Sequence, residues 1–166
     1  MDAVRSEMKD LSDLKCFDIM DIGHKCNDSY QETTLTMLFT VKQDLRRKAR
    51  LVAGGHLVDA LDHTVYSSTV KGISVKLLHV IAHKSGLDQL CGDVSLDFVN
   101  AYTNEKVFAI AGDEFGEYKD CTVIIRKALY GLSSSAERWH SHFTDSLRSI
   151  GFIPTRYDND VWIKTN

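Results

Sequence analysis

Near the N-terminus, apolar residues recur three and four apart, at Val4, Met8, Leu11 and Leu14. That spacing predicts a short amphipathic helix. From Cys16 to Gln31 the pattern is polar and irregular and predicts no regular element. Thr34 to Val41 is rich in β-branched and apolar residues, and Arg50 to Ala53 repeats that character. With Gln43-Asp44 between them the two predict a hairpin, ended by Gly54-Gly55. Ile73, Leu77, Val80 and Ile81 give a helix from Ile73 to His83, with Gly86 as its stop. Leu87 to Val94 predicts a strand. Val107 to Ala111 and Thr122 to Arg126 predict two more, joined by a Gly- and acid-rich loop. Ser134-x-x-Glu137 has the form of a capping box. Behind it, the stripe Ala136, Trp139, Phe143, Leu147 and Ile150 predicts a helix closed by Gly151. Val161 to Lys164 reads as a last strand. The mixed order of elements is an α+β pattern.

Composition narrows the picture without naming a chemistry. At 166 residues, 43% hydrophobic and 26% charged, the chain can bury one core. A single proline, Pro154, excludes a rigid linker, and there is no internal repeat. No apolar run approaches a membrane span, and nothing resembles a secretion signal. Cys16, Cys26, Cys91 and Cys121 show no C-x-x-C spacing, which favours reduced thiols in cytosol or nucleus over a secreted protein. A net charge of −3 offers no global basic field, so any nucleic-acid binding must come from a local patch.

One such patch exists. Lys42, Arg46, Arg47, Lys48 and Arg50 lie close together, opposed only by Asp44. On a hairpin, alternate residues share a face, so Arg46, Lys48 and Arg50 project together. They suit a triphosphate or a template backbone. The alternative is a solvated charged edge that discourages strand pairing. Asp93 and Asp97, four apart, could hold a cation or could simply be solvated acids. A strand end is a rigid anchor for one ligand of a phosphoryl-transfer metal site. His79 and His83 have the spacing of a zinc helix but lack its glutamate, and read as helix surface or satisfied core. Cys16, His24 and Cys26 fit no common zinc module. Trp139 lies on the apolar stripe and reads as core. Ser133-Ser-Ser135 has no neighbouring base, so N-capping explains it better than nucleophilic catalysis.

Taken together, these residues resemble the reverse transcriptase of copia-type long-terminal-repeat retrotransposons. Arg47-Lys-Ala-Arg-Leu-Val-Ala-Gly-Gly-His56 is similar to that family's fingers motif, typically K-A-R-L-V-A-x-G. Tyr66-Ser-Ser-Thr-Val70 is similar to the segment before its fingers helix. Gly92-Asp-Val-x-x-x-Phe-Val-Asn100 is similar to the first palm motif, typically D-V-x-x-A-F-L-N. Lys127-Ala-Leu-Tyr-Gly-Leu132 and Glu137-Arg-Trp139 are similar to the second, typically K-x-L-Y-G-L followed by R-x-W. Asp158-Asn-Asp-Val-Trp-Ile163 is similar to the strand before the catalytic hairpin. The five run in order from about Thr40 to Lys164.

The resemblance implies a partial right-hand polymerase fold: fingers plus the N-terminal half of a palm over residues 32–166, preceded by a helix and an irregular segment over residues 1–31. It implies an RNA-directed DNA polymerase, a nucleotidyltransferase. Its partners would be an RNA or DNA primer-template and deoxynucleoside triphosphates, with no membrane. Asp93 would ligate catalytic Mg2+, with the Val94 carbonyl beside it. Lys48 and Arg50 would contact the triphosphate, Phe98 would be the steric gate against ribonucleotides, and Tyr130 and Gly131 would shape the nucleotide pocket. Lys42, Arg46 and Arg47 would contact nucleic acid. A non-catalytic nucleic-acid-binding remnant, using the basic 42–50 hairpin, is the competing expectation.

Three departures from the family pattern stand out. The sequence stops before the Y-x-D-D motif that supplies the remaining metal-binding carboxylates, which implies a fragment inactive alone. Asp97 stands where alanine is usual, and a carboxylate there would repel a triphosphate unless it were screened. The usual proline of the second palm motif is replaced within Ser133-Ser-Ser-Ala136.

Overall fold

The computed structural model describes residues 2–59 and 65–164. The chain divides into two compact units. One comprises Met1–Tyr66 and Leu96–Trp139, the other Ser67–Ser95 and His140–Asn166.

The first unit opens with helix α1 (Asp2–Asp13), on the predicted stripe, with Leu11 fully buried. Its sheet has the order β1-β6-β5-β2, built from β1 (Phe17–Ile22), β2 (Gln31–Glu32), β5 (Val107–Ile110) and β6 (Cys121–Ile125). β6 pairs antiparallel with both β1 and β5, and β2 lies parallel to β5. β1 and β2 fall where the pattern predicts no element. Phe17-Asp-Ile-Met-Asp-Ile22 has a broken alternation, and its register with β6 shifts between Ile19 and Ile22, so pairing with a buried neighbour settles its conformation.

The predicted hairpin forms β3 (Leu35–Val41) and β4 (Arg47–Ala53), in register from Leu35 opposite Ala53 to Val41 opposite Arg47. Ala49, Leu51 and Ala53 turn inward while Lys48, Arg50 and Val52 take the other face. α1 packs on β4. Leu11, Leu51, Val99, Val107, Val123, Ile125 and Leu129 form the core.

In the second unit, α2 (Gly72–Lys84) spans the predicted helix, and Gly86 follows it at φ 64°. Its apolar residues are largely exposed, Ile73 to 71%. Residues 87–94, expected as a strand, are not one. No neighbouring strand among the described residues offers a ladder to them, and Leu90 is fully exposed. Asp93 therefore lies in an irregular, exposed stretch and not at a strand end. β7 (Ile153–Pro154) pairs with β8 (Trp162–Ile163), the latter inside the predicted last strand.

Helix α4 (Ser135–Ser149) crosses the division between the units. It closes as predicted. Gly151 sits at φ 91°, its N–H donates to the Arg148 carbonyl and the Phe152 N–H to the Leu147 carbonyl. Its start differs. The Ser134 hydroxyl is buried with no hydrogen-bond partner among the described residues, and the Ser134 N–H instead donates to Glu105 Oε1 at 2.7 Å. The N–H that a capping box assigns to Glu137 is thus taken by the carboxylate of Glu105, from the loop before β5. The stripe is also drier in pattern than in fact: Phe143 and Ile150 are 39% and 57% exposed.

Candidate nucleotide site

The basic hairpin resolves into three kinds of cation. Arg46 lies in the turn and is tied to Asp44, with Nε 2.7 Å and Nη2 2.6 Å from Oδ2. It does not share the strand face expected for it, because the turn takes it out of the alternation. Lys48 and Arg50 do share a face of β4. Lys42, Arg46, Arg47 and Lys48 line a cavity of about 220 Å³ against Ala3, Ser6, Glu7 and Asp10 of α1. Lys42, Arg47 and Lys48 form no ion pair within 4.0 Å among the described residues.

Glu7 is the more buried of the two acids, Glu7 and Asp10, that line this cavity. It sits on the apolar side of α1, is only 5% exposed, and accepts the Leu51 N–H at 3.2 Å. Burial pushes its carboxyl above the ordinary range, opposed by that N–H and by the charges of Lys48 and Arg50.

On the same strand, Arg50 lies over the ring of Tyr130, 5.7 Å from its centroid, within cation–π range. The Phe98 ring packs on Tyr130 at 5.4 Å with a 42° tilt. The Tyr130 hydroxyl donates to Asp97 Oδ1 at 3.2 Å, and the Phe98 N–H donates to the same oxygen at 2.9 Å. Burial, then the Asp97 charge and its hydrogen bond, push the Tyr130 phenol up to about 12. The hydroxyl therefore keeps its proton at neutral pH and stays a donor. Asp97 and Phe98 belong to the four-residue helix α3 (Asp97–Asn100), entered through Leu96 at φ 54° and closed by an Asn100 Nδ2 bond to the Leu96 carbonyl.

The backbone of the Tyr-Gly step fixes this ring to the hairpin. The Ala53 N–H donates to the Tyr130 carbonyl at 2.7 Å. Gly131 has φ 92°, and a β-carbon there would overlap the Ala53 carbonyl oxygen. A β-carbon on Gly55 would overlap the Gly131 carbonyl oxygen. Both positions require glycine for backbone approach, and Gly131 for its dihedral as well.

Lys127, at the head of the same motif, is turned inward. It is 8% exposed, lies over the Tyr102 ring at 3.7 Å and donates to the Asn100 carbonyl at 3.4 Å. In the second unit, Asp158 is buried and accepts the Lys71 N–H at 2.9 Å and the Ser74 hydroxyl at 2.6 Å, so it caps α2 from outside. His140 Nε2 lies 2.6 Å from Asp160 Oδ1 and 3.2 Å from Ser68 Oγ. Because both contacts fall on one ring nitrogen, they form no serine–histidine–acid relay.

A magnesium centre is not assembled by the residues described. Asp93 and Val94 are exposed, and no group of three or more His, Cys, Asp or Glu among the described residues could hold a metal. The donor set does not fit a two-metal phosphoryl-transfer site, which bridges several carboxylates. Cys16 is fully buried, with its thiol pushed up to about 12 by desolvation, and forms no site with His24 and Cys26.

Sequence reasoning missed Glu7 and the partner of Asp97. A signal for Glu7 was present, since it falls on the helical period between Val4 and Leu11 as the one acid on an apolar face. Nothing local pointed to Tyr130 as the partner of Asp97, 33 residues away.

Residues 15–166 match the family model described as reverse transcriptase (RNA-dependent DNA polymerase). The chain belongs to this family. A curated relative of this reverse transcriptase chain is the Retrovirus-related Pol polyprotein from transposon TNT 1-94 of Nicotiana tabacum, 26% identical over 136 residues. That match covers 76% of the chain, and the chain spans about a tenth of the relative's length. Family and relative together support a copia-type reverse transcriptase sequence. No solved structure matches. No helix among the described residues of the reverse transcriptase chain is long and apolar enough to cross a membrane.

Proposed function

We propose that residues 32–166 are the fingers and the first half of the palm of a copia-type reverse transcriptase. In this reading they bind a deoxynucleoside triphosphate opposite a primer-template in cytoplasm or nucleus. The observation that carries it is the meeting of three separate motifs at one ring: Arg50 of the fingers motif, Phe98 of the first palm motif and Tyr130 of the second. Arg50 and Lys48 supply charge on one strand face for the phosphates. Phe98 and Tyr130 supply a rigid aromatic wall for sugar and base. Template-directed attack of a primer 3′-hydroxyl on the triphosphate needs positioning and charge stabilisation more than covalent help from protein. Asp93 and Val94 are the positions that the family pattern assigns to magnesium. They are one carboxylate and one carbonyl, so the 166 residues alone are proposed to bind nucleotide without transferring it.

The test is calorimetric titration of the chain with a deoxynucleoside triphosphate. Wild type binds, and Arg50→Ala weakens binding roughly tenfold or more, the loss of one charge-assisted contact. Absence of binding by wild type, or equal binding by the variant, overturns the reading.

A second reading has its own observation. Lys42, Arg47 and Lys48 line one cavity without ion-pair partners among the described residues. As a phosphate-contacting patch they would bind nucleic acid in a strongly salt-dependent way. Filter binding of a primer-template at two salt concentrations separates this from an inert surface. Loss of one charge in Arg47→Ala should flatten the salt dependence by roughly one ion.

A further inference from the structure

Asp97 stands where the family motif usually carries alanine, inside the proposed nucleotide wall. A half-buried carboxylate beside a triphosphate is unfavourable by charge alone. Yet this one is not loose. One oxygen, Oδ1, accepts both the backbone N–H of Phe98 and the hydroxyl of Tyr130. It thus fastens the backbone of one ring's residue and the tip of the other ring. The two rings in turn pack on each other at 5.4 Å. Leu96 before it is left-handed at φ 54°, and the Asn100 side chain donates back to the Leu96 carbonyl at 2.8 Å, spanning the four-residue helix.

We propose that Asp97 is a positioning residue for the sugar gate: through Oδ1 it clamps the Phe98–Tyr130 ring pair, while its charge weakens the hold on a triphosphate. The inference rests on the nucleotide-pocket reading above. The two effects of one side chain are separable. Asparagine keeps an acceptor oxygen and loses the charge, and alanine loses both. Triphosphate affinity should follow charge, so that Asp97→Asn and Asp97→Ala both bind more tightly than wild type. Discrimination between deoxyribose and ribose should follow the hydrogen bond, so that wild type and Asp97→Asn discriminate alike and Asp97→Ala does not. A purely structural role would move both quantities together, or neither. The other charged groups acting on Tyr130 are Arg50 and Glu7, which none of the substitutions alters.

The experiment has two readouts on the 166-residue chain. The first needs no nucleotide: proton NMR of ring-labelled protein reads the Phe98–Tyr130 cross-relaxation. It is expected to be present in wild type and Asp97→Asn and lost in Asp97→Ala. Cross-relaxation unchanged in Asp97→Ala overturns the clamp. The second is calorimetric titration with dGTP and GTP. The ratio of their affinities is expected to fall roughly fivefold to tenfold in Asp97→Ala, the worth of about one hydrogen bond, and to hold in Asp97→Asn. Equal ratios in all three proteins overturn the gate role. If no protein binds either nucleotide, the pocket reading and the gate role fall together, and the cross-relaxation still decides the clamp by itself. Should Asp97→Ala not fold, the Tyr130→Phe chain replaces it, because it removes the donor and leaves the carboxylate in place.

Discussion

The carboxylate of Glu7 accepts the backbone N–H of Leu51 at 3.2 Å, joining helix α1 to the inner edge of β4 across 44 residues. The bond satisfies a backbone donor that the hairpin's other strand does not reach, and it draws an acid into the wall of the basic cavity.

A pH dependence follows from the raised Glu7 carboxyl. Because the folded value lies above the ordinary 4.5, its favourable contribution is complete below 4.5 and is lost as pH rises through the folded value. Glu7→Gln keeps an acceptor for Leu51 and has no charge to desolvate. Thermal melts should show the variant matching wild type near pH 4 and gaining on it as pH rises to neutrality. A difference independent of pH would show that Glu7 does not titrate in this range.

Gly131→Ala should destabilise the chain by at least about 2 kcal/mol, since it combines a left-handed φ with overlap on the Ala53 carbonyl. Gly86→Ala is the comparison. It has a positive φ of 64° but open space around it, so strain of about 1–2 kcal/mol is its whole cost. Denaturant midpoints of the two variants, at unchanged slope, check the ordering.

Asp158 is held below the ordinary carboxylate range, chiefly by the Ser74 hydroxyl and then by the Lys71 N–H. Its contribution is present above the ordinary 3.8 and fades as pH falls through the folded value. Asp158→Ala should speed hydrogen exchange of the amides that open α2, Lys71 first, and leave the β4 amides unchanged. Uniform acceleration across both elements would mean that Asp158 supports more than this helix start.

The 166-residue chain should incorporate no nucleotide in a primer-extension assay with magnesium or manganese, because Asp93 and Val94 offer too few donors for two ions. Incorporation above background that Asp93→Asn abolishes would show that the donor set suffices.

Much of this architecture is legible in the sequence where a local period decides it. The stripe of α1, the alternation of β3 and β4, and Gly151 after α4 all lie where the pattern places them. The failures share a cause, which is that a partner remote in sequence decides the outcome. β1 is a strand because β6 lies beside it, and residues 87–94 are not, because no strand among the described residues pairs with them. Ser134 has the spacing of a capping box, but Glu105 reaches its N–H first. The same holds for the site. The roles of Lys48 and Arg50 as a shared face follow from β periodicity, whereas Tyr130 meeting Asp97 requires knowing how α3 sits against the Tyr-Gly turn.

The close approach of Gly55 and Gly131 has a consequence for how the Tyr-Gly signature is to be understood. Each glycine makes room for a carbonyl of the segment opposite, so neither can be exchanged singly without forcing two backbones apart. That demand comes from closing the fold and is indifferent to nucleotides. A chain of this fold that bound no nucleotide at all would still need both glycines in order to fold. The signature therefore reports on shape. Evidence of living chemistry has to come from positions that the fold could spare, and Asp93, exposed and outside any element, is one of them.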